Sequence, residues 1–450
     1  MEKKKALSKK ETFLVGMTLF GMFFGAGNII FPIHLGQLAG SNTLPAIIGF
    51  IISAVSIPIL GVAAIGNTHS SDLLSLSQKV SPWYGYAFTT VLYLTIGPCF
   101  AIPRCATTSF TTGFESLLGT EHTKLYLLIF SAVFFGIVLF FSLRPKQITT
   151  WVGKVITPLF LVFLGILVVV ALVNPSTSIS NVTPDANYQT GALFNGIVEG
   201  YGTMDGIAGL AFGIIVINVI RGMGVEDDGD VAKATVKSGL ITAVLMTVIY
   251  ILTIIMGAQS RGLFETSENG GIAFSQIANH YLGIAGTAIL ALTITFACMK
   301  TAIGLVTSCA EMFVKMFPGT LNYKGWALAF SLFSFAVSNV GLTSIISYSV
   351  PVLMLIYPLA IVLIILALTE KFFGKSKAVY GWTIAGAFVA AIFDFLKSLP
   401  EGIQTALNIP AVTEFASHVF PFFDLSLGWI VPSAIGFVIG LVVSKVKKTA

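Results

Sequence analysis

The sequence predicts an all-α membrane protein of about twelve spans, and three observations carry that expectation. Hydrophobic residues fill 55 % of the 450 positions, charged residues only 10 %, and mean hydropathy is +0.91. A soluble domain carries roughly a quarter charged residues, so a water-facing shell cannot be built from this composition. The apolar runs reach the roughly 17–25 residues that a helix needs to cross a bilayer. They also lack the period-two alternation of a barrel strand, which leaves the helix as the way to satisfy the backbone in lipid.

The first run follows Lys3, Lys4, Lys5, Lys9 and Lys10 and extends from Thr12 to about Leu38. It is too long for the apolar region of a signal peptide and reads as an uncleaved span. Hydrophobicity places further spans near 43–66, 82–113, 123–142, 148–173, 191–221, 234–258, 281–314, 325–342, 348–369, 378–397 and 426–444. The connectors 174–190, 259–280 and 398–425 read as loops with room for a short helix, and no soluble domain fits between the spans.

Lysine and arginine set the orientation. With the N-terminus inside, twenty of the 25 fall on the inner side, among them Lys79, Arg144, Lys146, Lys154, Arg221, Lys315 and Lys445. Only Lys124, Arg261 and Lys397 fall outside, while Arg104 and Lys300 lie within spans. Both termini are therefore expected in the cytoplasm, with the chain multi-pass in the membrane. The basic balance comes from this bias and points to the lipid bilayer, not to nucleic acid. Cys99, Cys105, Cys298 and Cys309 lack metal-ligand spacing and read as buried small hydrophobes.

Two spans contain interruptions. Gly21-Met-Phe-Phe-Gly25-Ala26-Gly27-Asn28 sits midway along the first, and Glu199-Gly200-Tyr201-Gly202-Thr203-Met204-Asp205-Gly206 along the sixth. Glycine costs about 1 kcal/mol in a helix interior relative to alanine, and unwound backbone at membrane depth is tolerated only where it lines a cavity or is buried in protein. Spans one and six head two five-span halves, and an odd number of spans per half forces opposite orientations. Paired breaks in inverted halves point to a transporter's midplane site. Small-residue helix packing would explain Gly21 and Gly25 alone, but not Asn28, Glu199 and Asp205 beside them. Such a site suits a zwitterion: half-helix N-termini meet a carboxylate, and freed carbonyls accept from an ammonium or face a cation.

At these residues the chain resembles the bacterial branched-chain amino acid:cation symporters. The resemblance rests on Phe20-Gly-Met-Phe-Phe-Gly-Ala-Gly-Asn-Ile-Ile-Phe-Pro32, on Gly97-Pro-Cys-Phe-Ala-Ile-Pro-Arg-Cys-Ala-Thr-Thr-Ser-Phe110, on Tyr201-Gly-Thr-Met-Asp205 and on Ser338-Asn-Val-Gly-Leu342. It covers nearly the whole chain. It implies the LeuT-like five-plus-five inverted repeat of the amino acid–polyamine–cation superfamily, with discontinuous helices one and six. Residues 1–173 and 191–369 would be the two repeats, and 378–450 two accessory helices. It also implies uptake of leucine, isoleucine and valine, usually driven by sodium, with no cofactor. Carried over residue by residue, the amides of Ala26 and Gly27 would hold the substrate carboxylate. Phe24, Gly25 and Asn28, with Glu199, Gly200, Tyr201, Gly202, Thr203 and Asp205, would complete the pocket. Carbonyls near Gly21 and Phe24 would face the coupling cation.

The eighth span departs from that pattern. Two adjacent hydroxyl-bearing positions help hold sodium there in the family, whereas Ala297-Cys-Met-Lys300-Thr301 places a lysine and a threonine. An ammonium can occupy a cation site and donate to the same carbonyls. The expectation is that Lys300 stands in for sodium, which makes the coupling ion a proton or removes the sodium requirement; snorkelling to an interface, or a static pair with Asp205, are the alternatives. Arg104 also admits two readings, a gate residue paired with Glu115 or Glu199, or a structural ion pair. Glu311 and Asp394 read as interfacial anchors, and His34 and His69 as polar tips. The acidic run Glu226-Asp227-Asp228-Gly229-Asp230 lacks the twelve-residue calcium pattern and reads as a solvated turn.

Enzyme classes find no support: H-E-x-x-H, G-x-S-x-G and the phosphate-binding loop are all missing from the sequence. A carrier of another small neutral amino acid, or a channel-like protein, remains as the alternative function.

Overall fold

Helices and short turns account for the chain in the computed structural model, which describes residues 6–68, 70–118, 121–144 and 157–449. His69, Lys146, Lys154, the first five residues and the start of the expected fifth span lie outside the described residues. Among the described residues there is no strand, and eight helical runs are long and apolar enough to cross a bilayer. The expected tally of twelve also counts the first span, whose half Lys9–Phe23 is cut short by a break while the rest runs on within Ala26–Asn67, and the shorter helices Leu161–Val173, Tyr323–Ser338 and Ile430–Val446.

The first helix starts on a capping box, in which Ser8 Oγ accepts from the Glu11 amide at 3.2 Å and Glu11 Oε2 from the Ser8 amide at 2.8 Å. It stops at Phe23, and Ala26–Ala39 resumes it. The counterpart in the second half is Ala192–Tyr201 followed by Asp205–Gly222. Both interruptions fall where the glycine clusters predict them.

Packing follows the exchange that an inverted repeat requires. The first span lies along Asp228–Ser260: Thr242 Oγ1 donates to Gly16 O at 2.8 Å, and Gly36 fits against the backbone at Ile254. The sixth lies along the second in the same way, with Gly196 against Ala46 and Gly209 against Pro58. Small residues let these backbones approach. Lys377–Lys397 and Ile430–Thr449 form an antiparallel pair, Gly386 meeting Pro432 and Gly436 meeting Trp382.

Four local expectations change. The loop at 259–280 is helical from Gly270, within Gly270–Met316, and the helix bends at Gly283, whose φ of +63° suits glycine. The third span is irregular at Gly97 and Phe100, upstream of Pro103. Pro103, whose residue type would mark a local irregularity in the span, instead sits in the first turn of Ala101–Ser109, where its missing N–H costs no helical bond. The acidic run is more than a turn: Asp227 Oδ1 accepts from the Asp230 amide at 3.1 Å and caps Asp228–Ser260. Asp394 is buried, with both carboxylate oxygens lacking a hydrogen-bond partner, and so is no interfacial anchor.

The start of Lys9–Phe23 and the close of Ile430–Thr449 lie at one end of the bundle. Gly16 meets Ser238, Gly239 meets Ile59, Asn67 Nδ2 donates to Ala367 O at 2.9 Å, and Gly440 meets Val379. Lys79 pairs with Glu370 there at 2.5 Å and Lys315 with Asp72.

Candidate functional site

The two breaks face each other. In the first, Phe24 (ψ 103°) and Gly25 (φ −140°, ψ −160°) leave the helix. The freed Gly25 amide is taken by Asn28 Oδ1 at 2.8 Å, so the broken turn is closed by a side chain from its own next turn. In the second, Met204 holds a left-handed φ of +65°, rare for a residue with a side chain, and Asp205 opens the next helix. Strain of this kind persists only where surroundings enforce it, and such positions cluster at functional sites.

Side chains from four other spans lock the pair. Asn28 Nδ2 donates to Asp205 Oδ2 and to Tyr250 Oη (2.5 Å), and Tyr250 Oη donates to the same Asp205 oxygen at 3.3 Å. Tyr357 accepts from the Gly206 amide at 3.3 Å and stacks on Tyr201 with ring centroids 4.1 Å apart. Arg104 reaches neither Glu115 nor Glu199; its Nη1 and Nη2 donate to Gly202 O (2.6 Å) and Thr203 O (3.3 Å). Both readings of Arg104 assumed a carboxylate partner, whereas two of its nitrogens donate to carbonyls freed by the break. From the eighth span, Lys300 Nζ stands 3.0 Å from where a Cβ on Gly21 would lie, and Thr301 Oγ1 3.1 Å from that position on Gly25. Ala297 sits one turn earlier, its carbonyl accepting from Thr301 Oγ1 at 3.3 Å.

These elements form a pocket lined by Gly25, Ala26, Gly27, Asn28, Arg104, Thr203, Asp205 and Thr301. Met22, Phe23, Ile96, Ala208, Phe212 and Leu305 supply its apolar wall. Among the described residues no group of three histidines, cysteines or carboxylates stands close enough to hold a metal ion.

The expected set does not all converge. Glu199, Tyr201 and Gly202 line a neighbouring cavity of about 660 Å³ together with His34 and Asn269. Gly200 is packed against Ser53, and Phe24 stacks on Phe20 at 5.0 Å. The helix runs through Tyr201, so the residues before it keep helical facing and only Thr203 to Asp205 turn inward. His34 is more than a polar tip, with Nδ1 3.4 Å from Glu199 Oε1 and Nε2 3.1 Å from Ser267 O. Tyr250 and Tyr357 were missed, because a tyrosine inside an apolar run carries no signal of its partner. Spacing from the break gives none either.

A family model described as branched-chain amino acid transport protein matches residues 8–447. A branched-chain amino acid permease, BrnQ, of Lactobacillus delbrueckii subsp. lactis is 50 % identical over 97 % of each chain. The BrnQ permeases of Bacillus subtilis (strain 168) and Escherichia coli (strain K12) are 38 % and 36 % identical, over 98 % of both chains and over 97 % and 96 %, respectively. Among solved structures, MHP1, a nucleobase-cation-symport-1 family transporter in a closed conformation, matches with a TM-score of 0.61 and 14 % identity, covering 96 % of this chain and 91 % of that one. Its inward-facing conformation matches with a TM-score of 0.52. At that identity the likeness is one of fold.

Proposed function

Because this chain belongs to the branched-chain amino acid transport protein family, we propose that it is a secondary carrier importing leucine, isoleucine and valine across the bacterial cell membrane. The observation that carries the reading is the pocket itself. It lies between two broken spans and combines helix N-termini with an apolar lining from Met22, Phe23, Ile96, Ala208, Phe212 and Leu305. Amides at Ala26 and Gly27 suit the carboxylate of an amino acid, and the apolar wall suits a branched side chain. Residues 1–173 and 191–369 act as the two repeats, with 378–450 as accessory helices and both termini cytoplasmic.

Coupling follows from Lys300. Its ammonium lies beside Gly21, where the family's coupling cation would meet first-span carbonyls. We therefore read Lys300 as a resident cation in place of sodium, with a proton as the coupling ion.

Proteoliposomes without ATP test the function. Leucine uptake should saturate, isoleucine and valine should compete, and glutamate and lysine should not. Competition only by another neutral amino acid such as glycine would move the substrate class. Uptake that fails to saturate would indicate a channel.

A further inference from the structure

The amides that open Ala26–Ala39 do not stand alone. Arg104, on Ala101–Ser109, brings its guanidinium against Gly27, with Nη2 2.8 Å from where a Cβ on Gly27 would lie. The residue is 3 % exposed. Nη1 and Nη2 are held by the carbonyls of Gly202 and Thr203, and the Phe31 ring lies 5.2 Å from the guanidinium carbon. The remaining nitrogen, Nε, is buried with no hydrogen-bond partner. Carbonyl dipoles and a ring face do not supply the full counter-charge that an arginine buried in a bilayer calls for. Asp205 lines the same pocket, but its carboxylate accepts hydrogen bonds from Asn28 and Tyr250. The pocket therefore combines a helix N-terminus, an unspent buried donor and a fixed positive charge.

We propose that Arg104 binds the substrate carboxylate, forming one anion clamp with the amides of Ala26 and Gly27. This deepens the transport reading and rests on it. The helix end supplies amide donors and the positive end of the dipole. The guanidinium adds a charge-assisted hydrogen bond, roughly twice as strong as a neutral one. Because the same side chain touches Gly27 of the first break and Gly202 and Thr203 of the second, a carboxylate seated there bears on both halves of the molecule at once. Lysine, a flexible point charge, cannot reproduce that planar fork.

Equilibrium binding of labelled leucine, with leucine and leucinol as competitors, tests the clamp. Leucinol keeps the isobutyl group and the amine and lacks the carboxylate. Against the intact chain it should compete at least about a hundredfold less well than leucine, since the donors it leaves unpaired are buried. In Arg104→Lys, leucine affinity should fall at least about tenfold while leucinol affinity stays put, and Arg104→Gln should narrow the preference further. A purely structural arginine would weaken both ligands alike, and an unchanged leucine-to-leucinol ratio in Arg104→Lys overturns the proposal. So does leucinol matching leucine on the intact chain, a comparison that needs no variant to fold. An intact chain that binds no branched-chain amino acid defeats the transport reading instead.

Discussion

Asn28 donates through Nδ2 to the carboxylate of Asp205, and this one hydrogen bond joins the first turn after the first-span break to the first residue after the sixth-span break. The two residues are 177 positions apart. Asn28 reaches back with Oδ1 to the Gly25 amide, so one side chain caps its own half-helix and tethers the opposite one. Any motion of one half against the other must carry or break this link.

Tyr250 is the third member, and its hydroxyl can be removed without disturbing its shape. Tyr250→Phe keeps the edge-on contact with Phe50, whose ring centroid lies 5.1 Å away. It deletes a donor to a buried carboxylate, a loss of about 1–3 kcal/mol. Thermal unfolding in detergent should show a lower midpoint, and leucine uptake should weaken. An unchanged midpoint would mean that the hydroxyl is not bonded as described.

The glycines of the first break should differ in tolerance. A Cβ at Gly27 would meet Arg104 Nη2 at 2.8 Å and Thr203 backbone at 3.1 Å, neither of which has slack. At Gly25 it would meet only the Thr301 side chain, at 3.1 Å and beyond. Gly27→Ala should therefore reduce leucine uptake at least about tenfold, in line with an overpacking penalty of about 1–3 kcal/mol, and Gly25→Ala much less. Gly25→Val and Gly27→Val should both abolish uptake at normal expression. Equal tolerance of alanine at the two positions would contradict the close approach of the halves.

The breaks were legible in the sequence because glycine marks them by composition. The inverted pairing was legible because spans one and six stand five apart. The locks around them were not. Tyr250 and Tyr357 look like any tyrosine in an apolar helix until tertiary packing brings them to Asp205 and Gly206. Arg104 could be recognised as an anomaly in lipid, but its partners are backbone carbonyls freed by a break elsewhere, and no side-chain pattern encodes them. Glu199 was over-counted for the opposite reason: it lies beside the glycine cluster in sequence, but the helix carries it one turn away from the pocket.

Topology offers an independent check. Charge in the sequence assigns Lys79, Arg221, Lys315 and Lys371 to the side of the chain ends and only Lys124, Arg261 and Lys397 to the other side. Reporter fusions at Met1 and Ala450 should both give a cytoplasmic signal. A periplasmic signal from either would overturn the five-plus-five arrangement of the repeats.

The position of Lys300 beside Gly21 carries the claim that sets this chain apart from sodium-driven carriers. Lys300→Thr should either abolish uptake or make it depend on sodium, because it leaves a cation site without its resident charge. The most direct measurement uses the unmodified chain: leucine uptake into proteoliposomes under an imposed proton gradient, with sodium replaced throughout by choline. With Lys300 as the resident cation, uptake should persist at close to the rate seen in sodium. Uptake that vanishes in choline and returns on adding sodium would contradict it.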